Sequence, residues 1–200
     1  MLAELVAENE IVALAEIEGA TSQRLRAEDS VAFGIGRDEL VHGVPFASFI
    51  NASFSYFKPD EPNRFNFDLG AWYCALDVDV CLAEVAWHMT AFLAQAGRFH
   101  ATVEYAELFA SLAGEFYDMR DLPAHPALHP DPAIGYPEGN QIALAARLNG
   151  LNGIIYPSVR KPDGICVVAI LAHAVQSVAQ GGMFRMIWAG KAAPVVERIV

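Results

Sequence analysis

The sequence predicts an α+β domain, and three observations lead there. Some segments alternate apolar and polar residues with the period of a strand, and others repeat them three and four apart as a helix does. The two kinds interleave irregularly, not in the regular βαβ alternation of a parallel α/β sheet. The dinucleotide fingerprint GxGxxG is absent, because Gly34-Ile-Gly36 lacks both the third glycine and a strand ahead of it. A length of 200 residues suits one well-packed domain and hardly two.

Taken in order, Leu5, Val6, Ile11, Val12, Leu14 and Ala15 predict a helix over Glu4 to Glu16. The polar, glycine-punctuated stretch from Gly19 to Gly36 follows, so residues 1–36 are expected to form a helical extension ahead of a main domain of residues 37–200. Phe54-Ser-Tyr-Phe57 and Ala71-Trp-Tyr-Cys-Ala75 are short β-prone runs bounded by Pro, Asn and Gly. Leu82, Val85, Ala86, Met89 and Leu93 predict a helix from Val78 to Ala96, with Asp77 or Asp79 as its cap and Gly97 as its stop. Phe99, Ala101, Val103 and Tyr105 alternate with His100, Thr102 and Glu104, which is the pattern of a half-buried strand. Residues Arg120 to Pro137 hold five prolines and two histidines and read as an irregular loop. A helix is expected from about Asn140 to Leu148, closed by Asn149-Gly150. Gly153–Tyr156, Ile165–Ile170 and Met183–Trp188 complete the reading as strands.

Composition narrows the function. The formal net charge is −11 and the isoelectric point about 4.8, the wrong sign for a partner of nucleic-acid phosphates. No apolar run approaches the ~18 residues of a membrane span. Acidic residues stand where a secretory signal would carry positive charge, and the three cysteines form no CxxC pair, so a reduced, cytoplasmic protein is expected. Only 18% of the residues are charged and mean hydropathy is +0.28, which points to a generous core or a covered interface, more to the latter.

Chemistry-bearing residues fall in three groups. Arg64-Phe-Asn66 is followed by Tyr73, in a predicted strand, and by Glu84, in the opening turns of the next helix. Glu84 is the lone charge between Cys81 and Trp87, and a charge amid burying residues needs a partner or a function; it either serves a site or faces solvent on an amphipathic helix. Gly153-Ile-Ile-Tyr-Pro-Ser158-Val-Arg160 sets a hydroxyl at a strand end, where Ser158 either orients a ligand or caps the turn. It lacks the GxSxG of a hydrolase nucleophile. Leu40-Val-His42-Gly43 ends a short apolar run in an imidazole able to bond a ribose hydroxyl or to serve structure alone. His125 and His129 have no helix to align them on a metal, since Pro126 and Pro130 interrupt the run, and no metal is expected. Glu104 and Glu107 read as the solvated edge of a strand.

Together these pieces resemble the RES-domain family. The order is Arg64-Phe-Asn66, Gly70, Tyr73, Leu82-Ala-Glu84, Gln141-Ile-Ala143, then Gly153-Ile-Ile-Tyr-Pro-Ser-Val-Arg160, within a span of about Leu40 to Ile170. The resemblance implies an ADP-ribosyltransferase-like split β-sandwich, two packed sheets around an NAD cleft with helices outside. It implies a toxin, held by an Xre-type helix-turn-helix antitoxin, that cleaves the nicotinamide–ribose bond of NAD and transfers ADP-ribose to a cellular protein. NAD would be co-substrate. By the same resemblance Tyr73 stacks on nicotinamide, Glu84 binds the adjoining ribose, Arg64 with Asn66 holds the pyrophosphate side, and Ser158 helps place the nicotinamide ribonucleotide half. His42 stands where the family usually has an arginine, and so joins Glu84 and Tyr73 in a His-Tyr-Glu set. Pro62-Asn63 replaces the usual Gly-Gly, and Phe65 the usual Trp.

That chemistry suits these residue types. Breaking the N-glycosidic bond leaves positive charge on the ribose while nicotinamide departs neutral, so a carboxylate near the sugar stabilises the transition state. An arginine offers pyrophosphate a planar fork of donors. ADP-ribose passed to water or to phosphate, depleting NAD, is the alternative outcome. A non-catalytic protein-binding module is the other class, but it leaves the ordered Arg-Tyr-Glu-Ser pattern unexplained.

Overall fold

A computed structural model describes residues 35–55, 63–66 and 69–199. The expected helix over Glu4 to Glu16, and with it nearly all of the 1–36 extension, lies outside the described residues. Among the described residues three helices, α1 (Ala47–Ser55), α2 (Val78–Gln95) and α3 (Pro132–Leu148), accompany seven strands. The strands are β1 (Trp72–Ala75), β2 (His100–Leu112), β3 (Phe116–Asp118), β4 (Gly153–Pro157), β5 (Ile165–Ala169), β6 (Val175–Ala189) and β7 (Val195–Arg198). They form a four-stranded sheet in the order β1-β5-β4-β3 and a three-stranded sheet in the order β2-β6-β7. Every pairing is antiparallel except β3 with β4. This is the α+β split sandwich with surrounding helices that the sequence predicts.

The layers follow from which residues each element buries. Trp72 and Ala169 of the four-stranded sheet meet Val175, Val178, Leu108 and Leu112 of the other, and Ile50 and Phe54 of α1 close that seam. On the opposite face of the four-stranded sheet, Ile154, Tyr156 and Val168 pack against Ala143 and Ala146 of α3 and against Phe65. Helix α2 lies on the three-stranded sheet through Val85, Met89 and Leu93, against Met186, Trp188 and Val103. Phe65 and Ile154 are wholly buried, and such side chains contribute about 1.5–3 kcal/mol each. No helix among the described residues is long and apolar enough to cross a membrane.

Two expectations are corrected. Phe54 and Ser55 do not start a strand; they end α1, while Tyr56 and Phe57 fall outside the described residues. Ile50 and Phe54 are four apart and share the buried helix face, so packing outweighs their β-propensity. Asn51 anchors the helix by accepting the Val41 N–H (3.0 Å) and donating to its carbonyl (2.8 Å). Helix α3 begins at Pro132, eight residues before the expected start, and carries Pro137 in its interior. Asp131 caps it by accepting from the Ala133 amide (3.0 Å), and Pro132 then occupies the first helical position, where no N–H is needed. Prolines that read as loop are therefore a helix start. Helix α2 matches its prediction, although the Asp77 side chain makes no capping bond, and Gly97 ends it with φ +66°.

Strands β2 and β6 run far beyond their alternating halves, pairing from His100↔Ala189 to Leu112↔Val175 with two irregularities. Those irregularities, at Ala106/Leu108 and Phe109/Ser111, break the period-2 signal that the sequence would otherwise show. Strands β3 and β7 are too short to announce themselves and exist through their pairing with β4 and β6.

Candidate functional site

A cleft of about 280 Å³ opens where α2, β1, the β4–β5 hairpin, the start of α3 and the 63–66 turn converge. From α2 it is lined by Cys81, Glu84, Val85 and His88, and from β1 by Tyr73, Cys74 and Ala75. Tyr156 and Cys166 form its floor with Arg160 beside them, and Tyr136, Arg64 and Asn63 close the far side.

Glu84 reaches the cleft from the second turn of α2, whose other face is occupied by the contacts with the three-stranded sheet. Ser158, just after β4, donates its hydroxyl to Glu84 Oε1 at 2.8 Å. The same oxygen of Ser158 accepts the amides of Arg160 (3.2 Å) and Lys161 (3.0 Å). The hydroxyl therefore caps the hairpin turn, one of the two sequence readings, and at the same time holds the Glu84 carboxylate, a role the sequence did not suggest. Cys166 is the other group against Glu84 Oε1, at 3.8 Å. One edge of the carboxylate is thus held by the protein, and among the described residues no cation forms an ion pair with it.

Tyr73 is 39% exposed along its ring, yet its hydroxyl points inward and accepts the Phe65 N–H at 2.9 Å. Burial of that hydroxyl raises its pKa well above the ordinary phenol value, against the opposing pull of the Phe65 amide. A ring fixed at its polar end and open along its side is a stacking surface. Burial likewise pushes the thiols of Cys74 and Cys166 up to about 12, and raises that of Cys81, so the cleft holds its sulfurs as thiols.

Arg64 is 7% exposed. Its Nη1 donates to the carbonyls of Ala127 and, at 3.1 Å, His129, and its guanidinium lies 5.2 Å from the Tyr136 ring. Gly135 and Gly139 of α3 leave space for it. A β-carbon on Gly139 would come within 2.1 Å of the Arg64 carbonyl oxygen, and one on Gly135 within 2.5 Å of Nη1. Arg64 thus ties the 126–131 loop and the cleft wall together.

Asn66 and His42 are placed elsewhere. Asn66 is buried and clasps its turn, accepting the Asn63 amide through Oδ1 (3.2 Å) while its own amide donates to Asn140 Oδ1 (3.1 Å). It supports the wall without lining the cleft. His42 is exposed ahead of α1 and is not among the cleft-lining residues. The paired histidines of the proline-rich loop act as turn caps: His125 Nδ1 accepts the Ala127 amide and His129 Nδ1 the Asp131 amide, both at 3.1 Å.

Other cleft residues carried no assigned role in the sequence. His88 sits one turn beyond Glu84 at the exposed lip, its ring edge-on to Trp87 at 4.9 Å. Its pKa is lowered, chiefly by desolvation and further by Arg160 and Arg64, while Glu84 opposes. The i, i+4 spacing with Glu84 was the available signal. Arg160 stands in the hairpin motif itself, and Tyr136 in the stretch that reads as loop.

A family model described as RES domain matches residues 40–189 of this chain. The chain belongs to the RES-domain family. RES domains are associated with toxin–antitoxin systems, in which the toxin is typically paired with an antitoxin, and are related to toxins that act on NAD. The chain is also similar to "Uncharacterized protein y4oC" of Sinorhizobium fredii, 27% identical over 192 residues that cover 93% of this chain and 76% of that protein.

Proposed function

We propose that this RES domain is a toxin that binds NAD in the cleft, breaks the bond between nicotinamide and its ribose, and transfers ADP-ribose to a protein. The observation that carries the reading is the Ser158–Glu84 hydrogen bond at 2.8 Å, beside the open ring of Tyr73 in one cleft. The cavity lies just below the roughly 300–1,000 Å³ usual for ligand pockets, so it suits the nicotinamide riboside half, with the rest of the dinucleotide over the open lip.

Nicotinamide stacks on Tyr73, and the sugar lies against the free edge of Glu84. As the C1′–N bond breaks, its electron pair leaves with the nicotinamide nitrogen, which becomes neutral. The ribose takes the positive charge, and Glu84, held in position by Ser158, stabilises it. The acceptor then adds at C1′ and gives up its proton. Arg64, committed to the carbonyls of Ala127 and His129, adds positive charge to the cleft wall from a distance without contacting the ligand. Asn66 acts on this reading from outside the cleft, by holding the turn that carries Arg64, and His42 takes no part in the cleft itself. An Xre-type antitoxin is the proposed partner and would bring the DNA contact that a chain of net charge −11 is unsuited to make.

The test is incubation of antitoxin-free protein with NAD labelled on its adenylate, together with a cell lysate, beside Glu84→Gln. Label on a discrete protein band, lost in Glu84→Gln, is expected. NAD loss without labelled protein replaces the protein acceptor by water or phosphate. Intact NAD overturns the reading.

A further inference from the structure

The cleft holds two guanidinium groups, and their surroundings differ. Arg64 is nearly buried with Nη1 committed to two loop carbonyls, and α3 packs closely against it at Gly135 and Gly139. It has little freedom to meet a ligand. Arg160 is half-buried on the β4–β5 hairpin, with its Cζ 3.5 Å over the ring of Trp87. Stacking at that distance fixes the guanidinium plane and leaves its edge, where all five N–H groups lie, directed sideways. Among the described residues Arg160 has no ion-pair partner, and the Tyr136 hydroxyl is the side-chain group that reaches it.

We propose that Arg160, supported by Trp87, is the residue that contacts a phosphate of the ligand, and that Arg64 is a structural cross-link. The proposal rests on the NAD reading for the identity of the ligand and on this geometry for the residue. Connectivity gives the arrangement its meaning. Ser158, which positions Glu84, is two residues before Arg160, and the Arg160 amide donates to that same hydroxyl. Trp87, which supports Arg160, is three residues beyond Glu84 on one helix. The anchor for the sugar and the anchor for the anion are therefore two ends of one hairpin–helix contact. In NAD the nicotinamide ribose carries its phosphate on the 5′ oxygen, so the phosphate next to the sugar held by Glu84 is the one Arg160 meets. Desolvation lowers the pKa of Arg160, and the nearby Glu84 carboxylate opposes it without forming an ion pair.

Nicotinamide riboside and nicotinamide mononucleotide differ by this phosphate alone, so they form the test. Calorimetric titration of both into the full chain carrying Glu84→Gln, which prevents turnover, is compared with the same chain carrying Arg160→Gln or Arg160→Lys as well. The mononucleotide is expected to bind on the order of 10- to 100-fold more tightly than the riboside. Arg160→Gln closes that gap with riboside affinity unchanged, and Arg160→Lys keeps part of it. A gap that survives Arg160→Gln overturns the proposal, as does an equal loss for both ligands. Inorganic phosphate that binds through Arg160 without competing with the mononucleotide assigns the subsite to free phosphate and overturns it too. If neither nicotinamide compound nor NAD binds, but inorganic pyrophosphate does and Arg160→Gln abolishes it, the NAD reading falls and the anion site stands.

Discussion

Ser158→Ala separates steering of the carboxylate from capping of the turn. The substitution removes one hydrogen bond to a charged group, Glu84 Oε1 at 2.8 Å, and the acceptor of two backbone amides, Arg160 at 3.2 Å and Lys161 at 3.0 Å. A bond to a charged group contributes about 1.5–3 kcal/mol. If that energy is spent holding Glu84 where positive charge develops, the rate of NAD loss falls by roughly 10- to 150-fold. The two amides lie at half-exposed positions where water replaces the lost acceptor, so stability falls by only about 1 kcal/mol, or roughly 2–4 °C in Tm. Turnover of NAD by the antitoxin-free protein and thermal unfolding measure the two effects separately. Ser158→Thr keeps the hydroxyl and should recover most of the activity. Activity within about threefold of the parent in Ser158→Ala, with Tm lowered as stated, would refute the steering role and leave a turn cap.

Other expectations concern the wall and the titrating groups. Gly139→Ala, although it favours the helix by about 1 kcal/mol, drives a β-carbon to within 2.1 Å of the Arg64 carbonyl, so a net loss of about 1–3 kcal/mol is expected in chemical denaturation; an unchanged midpoint would show that the wall yields freely. Cys166, 2% exposed and with its thiol pKa raised, should react with a thiol reagent at pH 8 only after unfolding, and prompt modification in the folded protein would contradict its burial. Because the Cys166 pKa rises from 9.0 to about 12 on folding, the unfolded chain ionises first and stability declines as pH climbs through that window, with a ceiling of about 4 kcal/mol. His88 should titrate by NMR below the ordinary value of 6.5, so that its contribution to stability is present above 6.5 and lost as pH falls through the folded-state value. Glu84→Gln should lower the His88 midpoint further and Arg160→Gln should raise it; shifts of the opposite sign would remove these charges from its surroundings.

The elements legible in the sequence are those whose burial pattern is local. Helix α2 shows its face at Leu82, Val85, Met89 and Leu93, and β5 is a continuous apolar run, because each buries residues at a fixed period against a broad surface. The family was likewise readable, and of the residues named from the motifs Arg64, Tyr73 and Glu84 line the cleft, with Ser158 bonded to Glu84 behind it. Helix α1 and the first two turns of α3 were not: Phe54 carries a β-preference that packing beside Trp72 overrides, Pro132 is a helix-start proline that reads equally as loop, and Pro137, Gly135 and Gly139 dilute the helical signal where Arg64 passes close. The division of labour between the arginines was equally invisible. Arg64 and Arg160 are the same residue type in equally suggestive motifs. Only the fold supplies the carbonyls of Ala127 and His129 to one and the ring of Trp87 to the other. Sequence determined which chemical groups this protein brings to its cleft. Their freedom to act depends on partners distant along the chain, and tertiary structure alone decides those.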